Sequence, residues 1–412
     1  MVRRLVGVSF LLLAACEIEV VDGVGSHGSS RARPEVPRLP AEPAEPGEGG
    51  ETEYTRVPGA GDACSLPIVR DKELVITQQS VLLDRRPAWS FRARMTELAG
   101  SEAAAASFTY AWVDQWRTVT EVGPARAPVT PRPDAAKVLG DPFALRLLAI
   151  VNRPDLRAED DGCAGAGGEL RFVYGASFAF TIIVEIPWPA TRTPRAWTEA
   201  WHALGEQKFG DGYNAALEAL TDAIVGASPP ATWKVRTNER AFGATWEMRD
   251  FALAGGALVQ VPIATTPRIE LNGSASLDAW AKDNRASIAD RSFALPSAFQ
   301  AGAAPVPNAS FRWTSRTLSE TERARLSGET CNGCHGGEHS GGSLSFQHIA
   351  PANAPSYYDG NTSGETQLSR WLRDEELPRR ERSVRAALCA PACTTAPPPG
   401  GNDGSDDGYR EP

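Results

Sequence analysis

Alternating apolar residues predict a pair of strands near the middle of the chain. Every second residue from Phe178 to Ile186 is apolar, which is the period of a strand with one buried face. A mostly apolar run, 170–174, precedes this strand, and Gly175 with two small residues separates the two. The pattern therefore predicts a β-hairpin.

Helical spacing follows the hairpin. Thr193 and Pro194 are typical of a helix start, because proline at the first helical position loses no hydrogen bond and threonine caps free amides. Apolar residues then recur on one face as far as Leu204. The same spacing returns from Tyr213 to Ile224, with Gly226 as the expected stop. Two packed helices are predicted.

Three further segments complete the predicted body, residues 63–295. The apolar run 145–151 predicts a buried strand or a short helix, and its periodicity does not decide between them. A second hairpin is predicted at 245–264 around Gly255, and a helix at 277–288. The expected fold class is an α+β body with antiparallel hairpins and packed helices. The segment 296–316 is expected to be a linker, because proline and glycine become frequent there.

The first residues predict export. Two arginines precede a short apolar run, 5–13, and Ala14, Ala15 and Cys16 follow. This is a signal peptide over 1–15 with a lipobox, and the apolar run is shorter than the roughly 20 residues that span a membrane. We expect lipidation at Cys16. Glu17 follows it rather than aspartate, which favours the outer membrane over the inner one. The alternative is an ordinary secretory signal.

Residues 16–62 are rich in proline, glutamate and glycine and predict a flexible tether, and residues 396–412 predict a disordered tail. The net charge is −9, and the arginines are interspersed with acids. Phosphate binding needs clustered positive charge, so nucleic acid is excluded as a partner. The expected partners are a membrane, contacted through the lipid, and a redox partner protein in the cell envelope.

Seven cysteines are present, and an exported protein meets an oxidising compartment. Besides Cys16 and the close pair Cys331 and Cys334, four remain, which allow two disulfides in three pairings. The simplest assignment joins neighbours in sequence. It pairs Cys64 with Cys163 and Cys389 with Cys393.

The most specific chemical signal is Cys331-Asn-Gly-Cys334-His335, within a predicted haem-type segment at 317–395. Two thiols at this spacing can reach the two vinyl groups on one porphyrin edge, and the next residue can place its imidazole on the iron. Ser319 and Glu322 predict a capping box that opens a short helix before the motif. The motif predicts covalently attached haem c.

Two other interpretations of the motif remain open. A zinc ion could be held by Cys331 and Cys334 with His339 or His348, although zinc sites usually have a second close pair of ligands. The two cysteines could instead form a local disulfide, because such pairs oxidise readily outside the cytoplasm.

The segment resembles a small, mostly helical cytochrome c. In that family a proline carbonyl accepts the free N–H of the proximal histidine, and Pro351 is the matching position. Glycines between His335 and His348 are expected to adopt positive φ angles that wrap a porphyrin edge. The expected glycines are Gly336, Gly337, Gly341 and Gly342.

The sequence does not decide which residue is the sixth iron ligand. Cytochromes c usually supply a methionine downstream of the motif, whereas no methionine follows Met248 here. His348 is a candidate iron ligand, or a hydrogen-bond donor beside the haem, and His339 is a second candidate. Met248 or Met95 folding back from the body, or an open position, are the other choices. Each would give a different redox behaviour.

Several segments together resemble a group of uncharacterised myxobacterial lipoproteins. They are RLLAIVNRPDLR from Arg146, WHALG from Trp201, YNAALEALTD from Tyr213, RTNE from Arg236 and TCNGCH from Thr330. The resemblance implies that body and haem-type segment form one unit, and it implies no activity.

The expected function is a membrane-anchored mono-haem lipoprotein acting in electron transfer or redox sensing. No arrangement of residues typical of catalysis stands out in the body, so an electron carrier is favoured over an enzyme. His202, on a predicted helix, is expected to be a structural, hydrogen-bonded histidine. The alternative is a non-haem structural or binding surface lipoprotein whose cysteines form disulfides.

Overall fold

The computed structural model describes residues 68–82, 87–156, 168–177, 180–188, 193–240, 242, 246–340, 347–350 and 366–389. All of them belong to one compact unit, Val57–Pro412. The predicted signal peptide, Cys16 and the tether lie outside the described residues. Within the described ranges, no helix combines the length and the apolar character that crossing a membrane requires.

The strands are named in chain order. They are β1 Val75–Ile76, β2 Glu121–Val122, β3 Ala127–Pro128, β4 Arg146–Arg153, β5 Glu169–Ser177, β6 Phe180–Pro187, β7 Lys234–Glu239, β8 Glu247–Ala254, β9 Ala257–Val261, β10 Ile263–Pro267, β11 Gln300–Ala301, β12 Ala304–Pro305, β13 Ile349–Ala350 and β14 Gln367–Leu368.

The helices are named in the same way. They are α1 Arg70–Glu73, α2 Gln79–Leu82, α3 Phe91–Ala99, α4 Glu102–Gln115, α5 Ala135–Leu139, α6 Pro194–Gly205, α7 Asp211–Ala227, α8 Ala275–Asp283, α9 Arg285–Ala289, α10 Glu320–Gly328, α11 Cys331–Gly333 and α12 Leu377–Cys389. Single π-helical turns at Cys334–Glu338 and Leu372–Glu376 adjoin α11 and α12.

An antiparallel sheet organises the unit. Its order is β1-β4-β5-β6-β7-β8-β12, and β9 pairs with β8 beside β12. One face is apolar and packs on helices: Phe172 and Ile182 of the sheet share a buried core with Trp112 of α4 and Trp197 of α6. Because side chains alternate along a strand, the intervening residues point to the opposite face.

The C-terminal segment, which comprises the described residues between 317 and 389, covers that opposite face. Val151 of β4 and Val173 of β5 pack in one buried cluster with Cys334, Trp371 and Leu377. The segment 296–316, which the sequence indicates as a linker, contributes β12 to the sheet and buries Trp313 completely. It therefore packs into the same unit as the body.

The predicted hairpins are present, so the α+β body is confirmed. β5 pairs with β6, although Gly175, which was expected between the two strands, lies within β5 and pairs with Thr181. β8 pairs with β9 across Gly255 and Gly256, both with positive φ. The run 145–151 is strand β4, because it has partners on both sides in the sheet.

The helix predictions hold with adjustments. Thr193 caps α6 by accepting from the Ala196 amide. α7 continues one residue past Gly226. The helix predicted at 277–288 is two helices, α8 and α9, interrupted at Asn284, whose side chain donates back to the Trp280 carbonyl. A side chain that bonds its own backbone competes with the helix there.

Candidate functional site

A cavity lies between the sheet and the C-terminal segment. Its empty space, including the part of the mouth that is open to solvent, is about 810 Å³. The sheet supplies apolar and arginine side chains, and the C-terminal segment supplies Cys331, Cys334, His335 and His348. The haem-type motif and the body therefore form one site.

The body fixes the backbone around the motif. The Cys331 amide donates to Thr266 Oγ1 over 2.9 Å, and Thr330 Oγ1 accepts from the Gly333 amide over 3.1 Å. Asn332 Oδ1 accepts from the indole of Trp313 over 2.7 Å. All of these groups are buried. Thr266 belongs to the body, Trp313 to the segment 296–316 and Thr330 to the cap of α11 itself, so several parts of the fold hold the motif in place.

Neither motif cysteine is in a disulfide, and both are buried. Cys331 packs with Trp246 and Met248, whereas Cys334 packs with Trp371 on the other side of the motif. Burial raises the pKa of the Cys334 thiol well above its usual range, and Glu329 adds to the effect. The Cys334 sulfur is thus a neutral thiol, and both cysteines lie on the wall of one cavity.

His335 is held by an aromatic ring from the sheet. Its imidazole stacks on the indole of Trp246, with ring centroids 3.9 Å apart and planes 14° apart. His348 approaches from another direction, edge-on, with a centroid distance of 4.8 Å. Trp246 immediately precedes β8, so the body determines the orientation of this imidazole.

The glycines after the motif serve close packing. A Cβ on Gly336 would come within 2.5 Å of the Phe311 carbonyl oxygen, and one on Gly337 within 2.8 Å of the Ser310 carbonyl oxygen. Gly336 has φ −89°, and neither glycine is among the positive-φ positions. The expectation of positive φ at these two residues is wrong, because contact with the 310–311 backbone is what excludes a side chain. Gly341 and Gly342 lie outside the described residues.

His348 lies beside the second thiol. Its Nε2 is 3.2 Å from Cys334 Sγ and its Nδ1 is 3.2 Å from Ser369 Oγ. Burial lowers its pKa well below the usual range, so the ring is neutral near pH 7. Trp371 packs against it with centroids 4.6 Å apart.

His339 occupies a different position. It stacks on Trp371 at 4.8 Å and packs against Gly328, and it is not part of the cavity wall. Burial lowers its pKa to about 4. Across the described residues, no group of three or more histidine, cysteine, aspartate or glutamate side chains has the geometry to hold a metal ion.

Arginines from the sheet form a cationic wall. Arg171 pairs with Glu185 at 3.2 Å on the neighbouring strand, and Arg236 pairs with Asp250 at 3.0 Å. Both arginines are buried and line the cavity. Cross-strand pairing holds each guanidinium in a fixed orientation. The wall therefore presents oriented guanidinium groups whose charge is balanced by carboxylates on the sheet.

A buried ion cluster joins the body to the C-terminal segment. Asp155 Oδ2 accepts from Arg153 at 2.8 Å and from Arg379 at 2.7 Å. Glu376 Oε1 accepts from Arg379 at 2.7 Å and from Arg380 at 3.0 Å. Arg153, Glu376 and Arg380 also line the cavity. Burial opposes ionisation of Asp155, but Arg153 and Arg379 outweigh it and hold its pKa well below the ordinary value.

Several predicted site residues are thus brought together. Cys331, Cys334, His335 and His348 line one cavity. Pro351 lies outside the described residues. Cys389 is disulfide-bonded, and because Cys64, Cys163 and Cys393 also lie outside those residues, the pairing remains a prediction. His202 donates or accepts a hydrogen bond with Glu73 at 2.9 Å, which agrees with a structural role.

The sequence did not identify the wall that the body contributes. Met248, Arg171 and Arg236 lie on strands β8, β5 and β7 and line the cavity. Alternation along these strands does not show whether solvent or another layer of the protein covers this face of the sheet.

Comparison with known proteins gives no family assignment, since no family model, no curated protein and no solved structure matches this chain.

Proposed function

We propose that this chain is an exported, lipid-anchored mono-haem protein that carries or senses electrons at the cell envelope. One observation carries the proposal. Two buried cysteines at C-x-x-C spacing, neither of them in a disulfide, and the following histidine all line one cavity. The C-terminal segment would then be the cytochrome c-like part, and the body would form the opposite wall.

The chemistry of the cavity fits haem. A porphyrin is flat and apolar and carries two carboxylates on one edge. The apolar lining includes Val151, Val173, Ile183 and Leu372, and four arginines also line the cavity, Arg153, Arg171, Arg236 and Arg380. Each of these arginines already pairs with a buried carboxylate of the protein, so haem carboxylates would join existing ion pairs.

The protein's own residues have separate tasks in this proposal. With haem bound, Cys331 and Cys334 would each add a thiol across a vinyl group, so that a carbon–sulfur bond forms and the thiol proton passes to the adjacent carbon. His335 would hold the iron, which would supply the one-electron chemistry. Trp246 keeps the imidazole from rotating. The sheet and α12 both contribute side chains to the cavity wall.

The test compares haem attachment with and without a cytochrome c maturation system. The wild-type chain should give a haem-stained band that survives denaturation only when the system is present. Cys331→Ala and Cys334→Ala should each weaken the stain, and the double variant should abolish it. Cys389→Ala is the matched control, because Cys389 is a disulfide cysteine and should leave the stain intact.

The rival function is a non-haem surface lipoprotein whose cysteines are all disulfides. Unstained wild-type protein in the maturing strain, with Cys331 and Cys334 linked to each other, would support this rival. Zinc bound in proportion to chain, lost in the Cys331→Ala variant, would support the third interpretation of the motif.

A further inference from the structure

We infer that Met248, on strand β8 of the body, is the sixth iron ligand. This inference rests on the proposed function, since it concerns the same haem. It assigns the second axial ligand to a residue upstream of the attachment motif and in a different part of the fold. The sheet would then be a part of the iron site.

The location of the methionines is the first argument. The sequence contains three, Met1, Met95 and Met248. Met95 is completely buried in the core on the helix-bearing face of the sheet, together with Phe91 and Trp112. Met248 lies on the opposite face and lines the cavity with Cys331 and His335. Of the described methionines, Met248 is the one that shares a space with the motif.

Strand geometry gives the second argument. Trp246 and Met248 are two residues apart, so on an extended chain their side chains leave the same face, roughly 6 to 7 Å apart. Trp246 already stacks on His335. On this face of the chain, Met248 is therefore the next side chain after the one that stacks on His335. Its strand, β8, is paired to β7 on one side and to β12 on the other, which holds it in place. A ligand on such an element is positioned without ordering a loop.

The position of His348 gives the third argument. Its Nε2 lies 3.2 Å from Cys334 Sγ. The thioether sulfurs are at the periphery of the porphyrin, whereas the iron is at its centre. An imidazole in contact with that sulfur therefore lies at the edge of the ring, and its other nitrogen is already held by Ser369. His348 fits the role of a neighbour to the thioether better than that of an axial ligand.

His339 is a weaker candidate than His348. It stacks on Trp371 and does not line the cavity. A thioether from Met248 is also chemically suited to the site, because histidine–methionine ligation raises the reduction potential relative to two histidines. The inference predicts a low-spin haem of comparatively high potential.

The experiment uses the full chain matured with haem and reads spectra rather than activity. Wild type should show the near-infrared sulfur–iron charge-transfer band in the oxidised state. Met248→Leu, which conserves volume, should lose the band and become high-spin. Met95→Leu is the matched control: it changes the other buried methionine and should keep the band. His348→Gln should also keep it.

Each outcome decides the inference. Loss of the band in Met248→Leu alone supports it. A band that persists in Met248→Leu, or a wild type that lacks the band while carrying haem, overturns the inference and leaves the proposed function standing. Conversion to high-spin in His348→Gln would assign the ligand to His348 instead. Absence of covalent haem in the wild type overturns both. Met248→His should retain a low-spin haem without the band and at a lower potential.

Discussion

Trp246 and His335 stack ring on ring at the junction of the sheet and the C-terminal segment, with centroids 3.9 Å apart. The contact joins the candidate iron ligand to the strand that also carries Met248. Trp246→Leu should cost about 3 kcal/mol of stability, because it empties part of a packed core. It should also change the electron paramagnetic resonance spectrum of the haem, since the imidazole can then rotate.

Trp201→Leu is the control for that change. Trp201 is equally buried, but it belongs to the core on the helix-bearing face. It should lower the unfolding free energy by a similar amount and leave the haem spectrum unaltered. Identical haem spectra for Trp246→Leu and wild type would show that Trp246 does not position the His335 imidazole.

Asp155→Asn tests the buried ion cluster. The substitution leaves Arg153 and Arg379 buried without their shared carboxylate, and breaking such a pair costs about 3 to 5 kcal/mol. Because the folded-state pKa of Asp155 is depressed, its contribution is present above the ordinary carboxyl pKa and is lost as pH falls. Urea unfolding at pH 7 and at acid pH measures both effects.

Asp114→Asn is the matched control for Asp155. Asp114 pairs with Arg117 at 3.0 Å, but its side chain is 70% exposed. Exposed pairs contribute about 0 to 1 kcal/mol, so little change is expected. Equal losses for the two variants would contradict the role assigned to the cluster.

Glu329 should make stability fall as pH rises. Burial raises its pKa from 4.5 to about 7, although Arg291 lies 3.1 Å away and opposes the shift. The folded state therefore retains a proton that the unfolded state loses between pH 4.5 and 7, and unfolding free energy declines across that window by about 3 kcal/mol. Glu329→Gln should flatten the decline. A variant with the same pH slope as wild type would exclude Glu329 as its source.

Lipidation at Cys16 remains a prediction from the sequence. Cys16→Ala should move the chain from the membrane fraction to the soluble fraction, because a lipid anchor is then absent. A variant that stays in the membrane fraction with unchanged electrophoretic mobility would show that another feature holds the protein there.

Local patterns predicted much of the fold. The 170–186 hairpin and helix α6 follow from strand and helix periodicity, and the Ser319–Glu322 capping box is present as expected. The break at Asn284 was missed, because a side chain bonding to the preceding turn leaves the apolar spacing intact.

The sequence predicted the part of the candidate site that the C-terminal segment contributes, and it missed the part that the sheet contributes. Covalent chemistry needs a fixed spacing along the chain, so Cys331, Cys334 and His335 are visible in the sequence. Arg171 and Met248 reach the same cavity through the pairing of distant strands. Their alternation with apolar residues is the same whether solvent or another layer covers the sheet, so the sequence pattern does not distinguish these cases.

The most direct measurement is the mass of the tryptic peptide 326–370, which contains Cys331, Cys334 and His335 and no internal lysine or arginine. From wild-type protein matured in the presence of haem, this peptide should carry the added mass of one haem and absorb as a c-type haem. The same peptide at its unmodified mass, or two hydrogens lighter as a Cys331–Cys334 disulfide, would contradict the account.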